Sequence, residues 1–366
     1  MKKEKDHIKQ QNPEKSGGAL KILAIVLSTL AVLLVLLTVA VGVLFWYTGS
    51  MRDSMFSARD DKVAKPTEAV EEKIQIDAID ADWIDENGNA YNYRDDVISI
   101  LLMGIDYMAN EEKWEEGTLS NGGNADVLAL VILDTRTFDF DILYIPRDTI
   151  AEVIAMDAEG NYIDTISTNI STSHSYGDGG DLSCQLTADA VSGLLLGAPV
   201  NRYAALHFDA IYTLNNILGG VNITFDSDCT EIHYSFKEGK TAKLNNYYFK
   251  KLLMFRDYEN PESASIRGLR AMNVLKAMFD QLKGKIMEDP TVALDIVNKL
   301  GEHITTDLEL SEITYLARNV GKMDFSSDTV VRLPGETVVG ERYAEFYADD
   351  TWIHDFVVEK FCVPVE

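Results

Sequence analysis

The sequence predicts an α/β fold: a single mixed α/β sandwich domain with a central β-sheet flanked by helices, preceded by one N-terminal transmembrane helix. Three observations predict it. Residues 22–47, ILAIVLSTLAVLLVLLTVAVGVLFWY, carry no charge. From Val97 onward, dense apolar runs of strand length are separated by turn residues. Amphipathic helical patterns then interleave with strand patterns to the C-terminus, without a second linker or an internal repeat. A hydrophobic content of 46% and a charged content of 25% over 366 residues are ordinary globular usage and exclude wholesale disorder.

The elements follow in order. Residues 1–21 hold six lysines and three acids, a net of +3, and form a cytoplasmic basic tail. At ~1.5 Å per residue the next 26 residues exceed a ~30 Å hydrocarbon core, so residues 22–47 are long enough for a transmembrane helix. The apolar stretch is longer than the ~7–15 residues of a signal-peptide core, and no convincing small-residue cleavage site follows it. An uncleaved anchor with its basic flank inside places the remainder outside the cell, as a single-pass membrane protein with an extracellular C-terminal domain. Residues 48–92 mix charge signs, contain Pro66 and an Asn87-Gly88 turn signal, and read as an extracytoplasmic stalk. The domain proper is expected over 93–366.

Within it, VISILLMGI (97–105), VLALVILD (127–134) and FDFDILYIP (138–146) read as strands. The first two are apolar throughout, as in a sheet covered on both faces. LSCQLTADAVSGLLL is helical, with Leu182, Leu186, Ala190 or Val191, and Leu194 on one side. Asp209 can cap AIYTLNNIL, which ends at Gly219-Gly220 before the strand VNITF. A further helix near 265–283 carries Met272, Leu275, Phe279 and Leu282 at spacings of three and four.

The net charge of −26 excludes a broad nucleic-acid-binding face, because carboxylates repel a phosphate polymer. Any anionic ligand must be held by a local basic cluster. Cys184, Cys229 and Cys362 fit no metal spacing and read better as small apolar fillers than as a disulfide plus one thiol. The six histidines lack the paired spacing of a zinc site.

Chemistry is sought at the strand ends, where α/β sheets present polar residues beyond their apolar interiors. The first strand stops at Gly104-Ile105-Asp106, the second begins after Asn124-Ala125-Asp126, and the third stops at Ile145-Pro146-Arg147-Asp148-Thr149. Each acid taken alone reads as a turn or cap. Taken together, Asp106 and Asp126 could share a hard cation such as Mg²⁺, with Arg147 on a phosphate oxygen beside it. Arg267 and Arg270, three apart, stay near one helix face and fall in the expected first turn. Two cations are misplaced there unless an anion joins them, although Asp257, Glu259 or Glu262 could pair with them instead.

In this order, GxD, a D before an apolar strand, IPRDT and RxxR resemble the LytR-CpsA-Psr family of membrane-anchored extracytoplasmic proteins. HSYGDGG (174–180), FDAIYTLNNILGGVNI (208–223), LKAMFDQL (275–282), TDLELSEITYLAR (306–318) and LPGE (333–336) extend the likeness from about Tyr93 to nearly the C-terminus. The resemblance implies a transferase that moves an anionic glycopolymer, such as teichoic acid or capsular polysaccharide, from a polyprenyl-diphosphate carrier to peptidoglycan. It also implies a lipid-lined pocket with the diphosphate at its mouth. Asp106 and Asp126 would hold Mg²⁺, and Arg147, Arg256, Arg267 and Arg270 would face the phosphates. Asp148 would orient Arg147 or assist proton transfer, so that Arg147, Asp148 and Asp106 form the expected catalytic set.

The chain departs from that pattern at Asn124 and Tyr258, where arginines are usual, and at Ala271, where glutamine is usual. A neutral donor gives roughly half the strength of a charge-assisted one. The alternative reading is therefore a non-catalytic polyprenyl-phosphate-binding or regulatory protein of the cell envelope.

Overall fold

The computed structural model describes residues 51–56, 81–106, 122–157, 160–257, 259–260, 262–340 and 344–365. The expected basic tail, the expected transmembrane helix at 22–47 and Tyr258 lie outside the described residues. Among the described residues no helix is long and apolar enough to cross a membrane. The chain divides after Met51, and everything below belongs to the unit Arg52–Glu366.

In chain order the elements begin with β1 (Trp83–Ile84), β2 (Ala90–Tyr93), β3 (Val97–Ile105), β4 (Ala125–Asp134) and β5 (Phe140–Ile145). A hairpin of β6 (Ile150–Met156) and β7 (Tyr162–Asn169) leads through a 3₁₀ turn at Ile170–Tyr176 into α1 (Asp181–Leu194). Next come β8 (Arg202–His207), α2 (Phe208–Leu218), β9 (Val221–Thr224), β10 (Thr241–Leu244) and α3 (Asn246–Met254). The long α4 (Ser263–Glu288) is followed by α5 (Thr291–Leu300), β11 (Ile304–Thr306) and α6 (Leu310–Asn319). The chain closes with β12 (Val330–Arg332), β13 (Gly335–Val339), β14 (Ala344–Ala348), α7 (Asp350–Phe361) and β15 (Cys362–Pro364).

Six strands form the central mixed sheet in the order β11-β8-β3-β4-β5-β12. β3 runs parallel to β8 and antiparallel to β4, and β5 is parallel to β12. Alternation along the strands builds three layers, because successive side chains point to opposite faces. Leu101, Met103 and Ile105 of β3 join Cys184, Ala188 and Val191 of α1 and Ile353, Phe356 and Val357 of α7 on one face. Leu102, Ala129, Ile142 and Tyr144 meet Ala271, Met272 and Leu275 of α4 on the other. A satellite core under β9, β10 and α3 packs Ile223, Phe225, Cys229 and Phe249. All three cysteines are buried free thiols, as the filler reading expects.

Three expectations change. Residues 81–92 do not read as a stalk in the fold: β1 and β2 form a small sheet with the C-terminal β15, and Tyr91 enters the main core. The partners of these residues lie some 270 positions away in sequence, so local composition could not reveal them. Residues 52–56 pack on the domain as well. Met55 is fully buried, and Ser54 donates to Glu312 Oε1 at 3.0 Å, beside the buried pair of Arg202 Nη2 and Glu312 Oε1 at 2.9 Å. Finally, His207 rather than Asp209 is the N-cap of α2, with no side-chain cap bond.

Candidate active site

The candidate site begins with an irregularity in the sheet. β3 and β4 pair in register up to Gly104 opposite Val127, but Ile105 then pairs with Ala125, so Asp126 is the extra residue of a β-bulge. A bulge bends the strand and re-aims a side chain. Gly104 accommodates it, since a Cβ there would stand 3.1 Å from the Val127 Cβ. Just beyond, the Asn124 amide donates to Asp106 Oδ1 at 2.7 Å and the Asp106 amide to the Asn124 carbonyl at 3.2 Å. This exchange holds Asp106 at the mouth.

The strand entering the bulge is anchored from behind by His174, which is fully buried. Its Nδ1 lies 3.2 Å from the Gly123 carbonyl, which can only accept, so Nδ1 carries the proton. Cys184 Sγ lies 3.9 Å from Nε2. Burial is the main cause that pushes the His174 pKa down to about 4, against the opposing Gly123 and Gly122 backbone bonds. Gly122 passes so close to the His174 carbonyl and to Gly179 that a Cβ would sit 2.9 Å and 3.0 Å from them. The run HSYGDGG thus serves as a backbone seat for the loop before β4.

Arg147 leaves the end of β5 in a turn fixed by Thr149, whose hydroxyl donates to the Pro146 carbonyl at 2.6 Å, and by the Ser171 amide, which donates to the Arg147 carbonyl at 3.2 Å. Its guanidinium Nη1 pairs with Asp126 Oδ1, and its Nε stands 3.3 Å from Asp148 Oδ1. Asp148 is in turn approached by Asn169 Nδ2 at 3.3 Å. From α4, Arg267 Nη2 reaches Asp126 Oδ2 at 2.8 Å. Asp126 is therefore bracketed by two guanidiniums. Burial lowers the Arg147 pKa, Asp148 opposes that, the Arg267 and Arg256 charges lower it further, and Asp106 opposes. Three arginines and three carboxylates therefore share one electrostatic neighbourhood, and the mutual repulsion of the cations is relieved by an anion among them.

Arg270 behaves differently. Its Nη2 donates to the Phe255 carbonyl at 2.5 Å, and its Nη1 lies 3.4 Å from Glu231 Oε1. It props the Phe255-Arg256 turn instead of joining Asp126. The expected first-turn placement also changes: α4 starts at Ser263, so Arg267 and Arg270 stand in its second turn and beyond, and the helix-terminus argument does not apply. What brings Arg267 to the sheet is Gly268. A Cβ at that position would fall 1.8 Å from the Tyr144 hydroxyl, so α4 rides directly on β5. Neither Gly268 nor the bulge was identified from the sequence. A glycine inside a helical pattern, and Gly104 inside an apolar strand, were the available signals.

Beneath the carboxylates opens a cavity of about 210 Å³. Asp106, Asp126 and Arg267 are its polar members, and Leu102, Leu214, Phe249 and Leu275 are among its apolar walls. Ala271, where the family pattern has glutamine, is also in that wall. A second cavity of about 370 Å³, lined by Leu133, Phe279, Leu282 and Ile296 among others, shares Leu102 and Leu275 with the first. Among the described residues no three His, Cys, Asp or Glu side chains come together as a metal cage. Asp106 and Asp126 are the two carboxylates lining this cavity, and both Asp126 oxygens face guanidiniums, so the pair would hold only an ion that completes its shell with water and ligand oxygens, as Mg²⁺ does.

The family model described as "LytR_cpsA_psr family" matches residues 54–355. The chain belongs to the LytR-CpsA-Psr family. Among curated members of that family, the polyisoprenyl-teichoic acid–peptidoglycan teichoic acid transferase TagU of Bacillus cereus is 23% identical over 240 residues, 65% of this chain and 69% of the relative. TagV of Bacillus subtilis, of the same description, is 26% identical over 245 residues, 62% of this chain and 55% of the relative. The crystal structure of B. subtilis TagV has the same fold, with a TM-score of 0.52 and 23% identity, covering 73% of this chain and 98% of that one. The LytR-CpsA-Psr match begins at residue 54, which agrees with the packing of residues 52–56 and 81–92 on the domain.

Proposed function

We propose that the protein is a membrane-anchored transferase that moves an anionic glycopolymer, of the teichoic acid or capsular class, from a polyprenyl-diphosphate carrier to peptidoglycan outside the cell. The observation that carries this reading is the placement of Asp106, Asp126 and Arg267 in the lining of an otherwise apolar cavity, with Arg147 paired to Asp126 beside them. A long isoprenoid needs the walls and a diphosphate needs the mouth. The relatives named above are transferases of polyisoprenyl-linked teichoic acid, and that activity comes to this chain through family membership.

The reaction is phosphoryl transfer. A hydroxyl of the wall attacks the sugar-bearing phosphorus, the bond to the bridging oxygen breaks, and polyprenyl phosphate leaves with the electron pair. Such chemistry requires positioning and charge neutralisation more than a reactive side chain. Arg147, held by Asp148, and Arg267 supply fixed positive charge, and Arg256 adds to the local potential. Asp148, beside Arg147, is the acidic group for the hydroxyl proton. Asp106 and Asp126 would hold Mg²⁺, which would neutralise phosphate charge when bound. Arg270 acts through Phe255 and is a positioning residue.

The test uses the full-length chain in detergent with a polyprenyl-diphosphate-linked oligosaccharide, acceptor glycan and Mg²⁺, and measures polyprenyl phosphate. Release is expected from the native protein and absent from Arg147→Ala and Asp106→Ala, both with native circular dichroism. Full activity in either variant would refute the site. Absence of release from the native protein, with lipid still bound, would leave the binding-protein alternative in its place.

A further inference from the structure

Outside the site described above, a groove of about 730 Å³ lies between the C-terminal end of α2, the β9–β10 hairpin and the N-terminal end of α3. Its lining includes Asn216, Gly220, Lys243, Asn245, Asn246 and Tyr247. No carboxylate is among its lining residues, in a chain of net charge −26. We infer that this groove binds a neutral, hydroxyl- and acetamido-bearing glycan strand, and that it is the acceptor subsite of the transferase.

The chemistry rests on an amide relay. Asn215, fully enclosed, accepts from the Val221 amide at 2.8 Å and donates to the Leu244 carbonyl at 3.2 Å, which joins α2 to the hairpin. Its Nδ2 also donates to Asn246 Oδ1 at 2.6 Å, and Asn246 Nδ2 donates to Asn216 Oδ1 at 3.2 Å. The inner member does the structural work. The outer members have their acceptors committed to the relay, which uses one N–H of Asn246 and none of Asn216, so at least one amide N–H on each lies outside it. Asn245 follows the same rule: its Oδ1 caps α3 by accepting from Tyr248 N at 3.0 Å, and its NH₂ remains. A row of oriented amide donors matches the hydroxyl and acetamido oxygens of a sugar, whose position along a chain repeats.

Tyr247 completes the pattern. It lines the groove, is 59% exposed, and is braced by Lys251 Nζ at 5.0 Å from its ring centroid and by Tyr248. A large aromatic ring left in solvent at the edge of a polar groove offers an apolar face with a polar tip, which suits the C–H face and hydroxyl rim of a pyranose. Gly219 ends α2 in the left-handed region at φ 71°, and Gly220 follows at φ 100°. With no side chain at either, the groove floor is backbone, and a Cβ on Gly220 would strike Lys243 at 2.7 Å.

The placement fits an acceptor. α2 and α3 supply Asn216 and Tyr247 to the groove, and the same helices supply Leu214, Phe249 and Leu253 to the cavity under Asp106 and Asp126. The two sites therefore share two helices. The assignment of the groove's occupant as acceptor rests on the transferase reading, whereas glycan binding itself does not.

The experiment is isothermal titration of the full-length chain in detergent with chitotetraose, for the native protein and for Asn216→Ala, Tyr247→Ala and Arg147→Ala. The native protein is expected to bind, Asn216→Ala and Tyr247→Ala to weaken binding by roughly tenfold or more, and Arg147→Ala to bind as the native protein does. Equal binding by the groove variants, or none by the native protein at the highest soluble concentration, overturns the inference. Chitotetraose binding that depends on Tyr247 but without polyprenyl phosphate release by the native protein would sink the transferase reading and leave the glycan site standing.

Discussion

His174 makes the loop before β4 an acid-sensitive part of the molecule. Its neutral ring donates from Nδ1 to the Gly123 carbonyl and presents Nε2 to the Cys184 thiol. Burial pushes that thiol's pKa up, so it stays protonated. Protonating the ring would place a charge in a site with no exposure and remove the acceptor at Nε2. A histidine whose pKa falls from 6.5 unfolded to about 4 folded contributes stability that is present above 6.5 and is lost as pH falls towards 4. Between pH 7.5 and pH 5.0 the linkage relation gives a loss of about 2 kcal/mol from this one group. Urea denaturation of the native protein and of His174→Gln at the two pH values measures it. Glutamine retains an amide donor for Gly123 but does not titrate, so the variant should lose about 2 kcal/mol less on acidification. An identical pH effect in both proteins would refute the reasoning, whatever the variant does to stability at pH 7.5.

Three further outcomes follow from packing and charge. Gly268→Ala forces a Cβ into the Tyr144 hydroxyl and should displace α4, destabilising by about 1–3 kcal/mol and lowering polyprenyl phosphate release; adding Tyr144→Phe, which removes that hydroxyl, should restore part of both. Arg202→Ala leaves Glu312 buried without its guanidinium partner and should lower unfolding stability by about 3–5 kcal/mol, measured by chemical denaturation, while substitution of both partners by apolar residues should cost less. His354 has its pKa raised by the Asp355 bond first, against burial, and then by Asp85, to which it also binds at 3.2 Å. Its contribution is complete below 6.5 and lost as pH rises through the raised folded value, so amide exchange in β2 should quicken with alkalinity beyond the intrinsic rate, and not in His354→Gln.

Strand β3 was legible to the residue, Val97–Ile105, because a strand buried on both faces writes its whole length as apolar side chains. The end of α2 at Gly219-Gly220 was equally plain, since the left-handed cap demands glycine. The start of α4 was not. Its N-cap, Glu262, makes no side-chain cap bond, so the sequence carries no start signal at Ser263, and Arg267 and Arg270 stand beyond the first turn that the apolar pattern alone suggests. The mixed-charge composition of residues 81–92 hides their place in the domain, because β1 and β2 owe their order to β15 and to Tyr91 in the core, contacts between distant parts of the sequence. Arg270 and Arg267, equivalent by spacing, are separated by what each meets: Glu231 and the Phe255 carbonyl for one, Asp126 for the other.

The sequence by itself determined the fold class, the family and the identity of the charged residues at three strand ends, because these depend on local apolar pattern and on residue order. Only the tertiary structure decided which charges meet. The bulge at Asp126, the seat of α4 on Tyr144 and the His174 anchor each fix a side chain's direction through a partner tens to hundreds of residues away. A one-residue change of register turns a side chain to the opposite face of a sheet, so no reading of spacing alone could place Asp126 between Arg147 and Arg267.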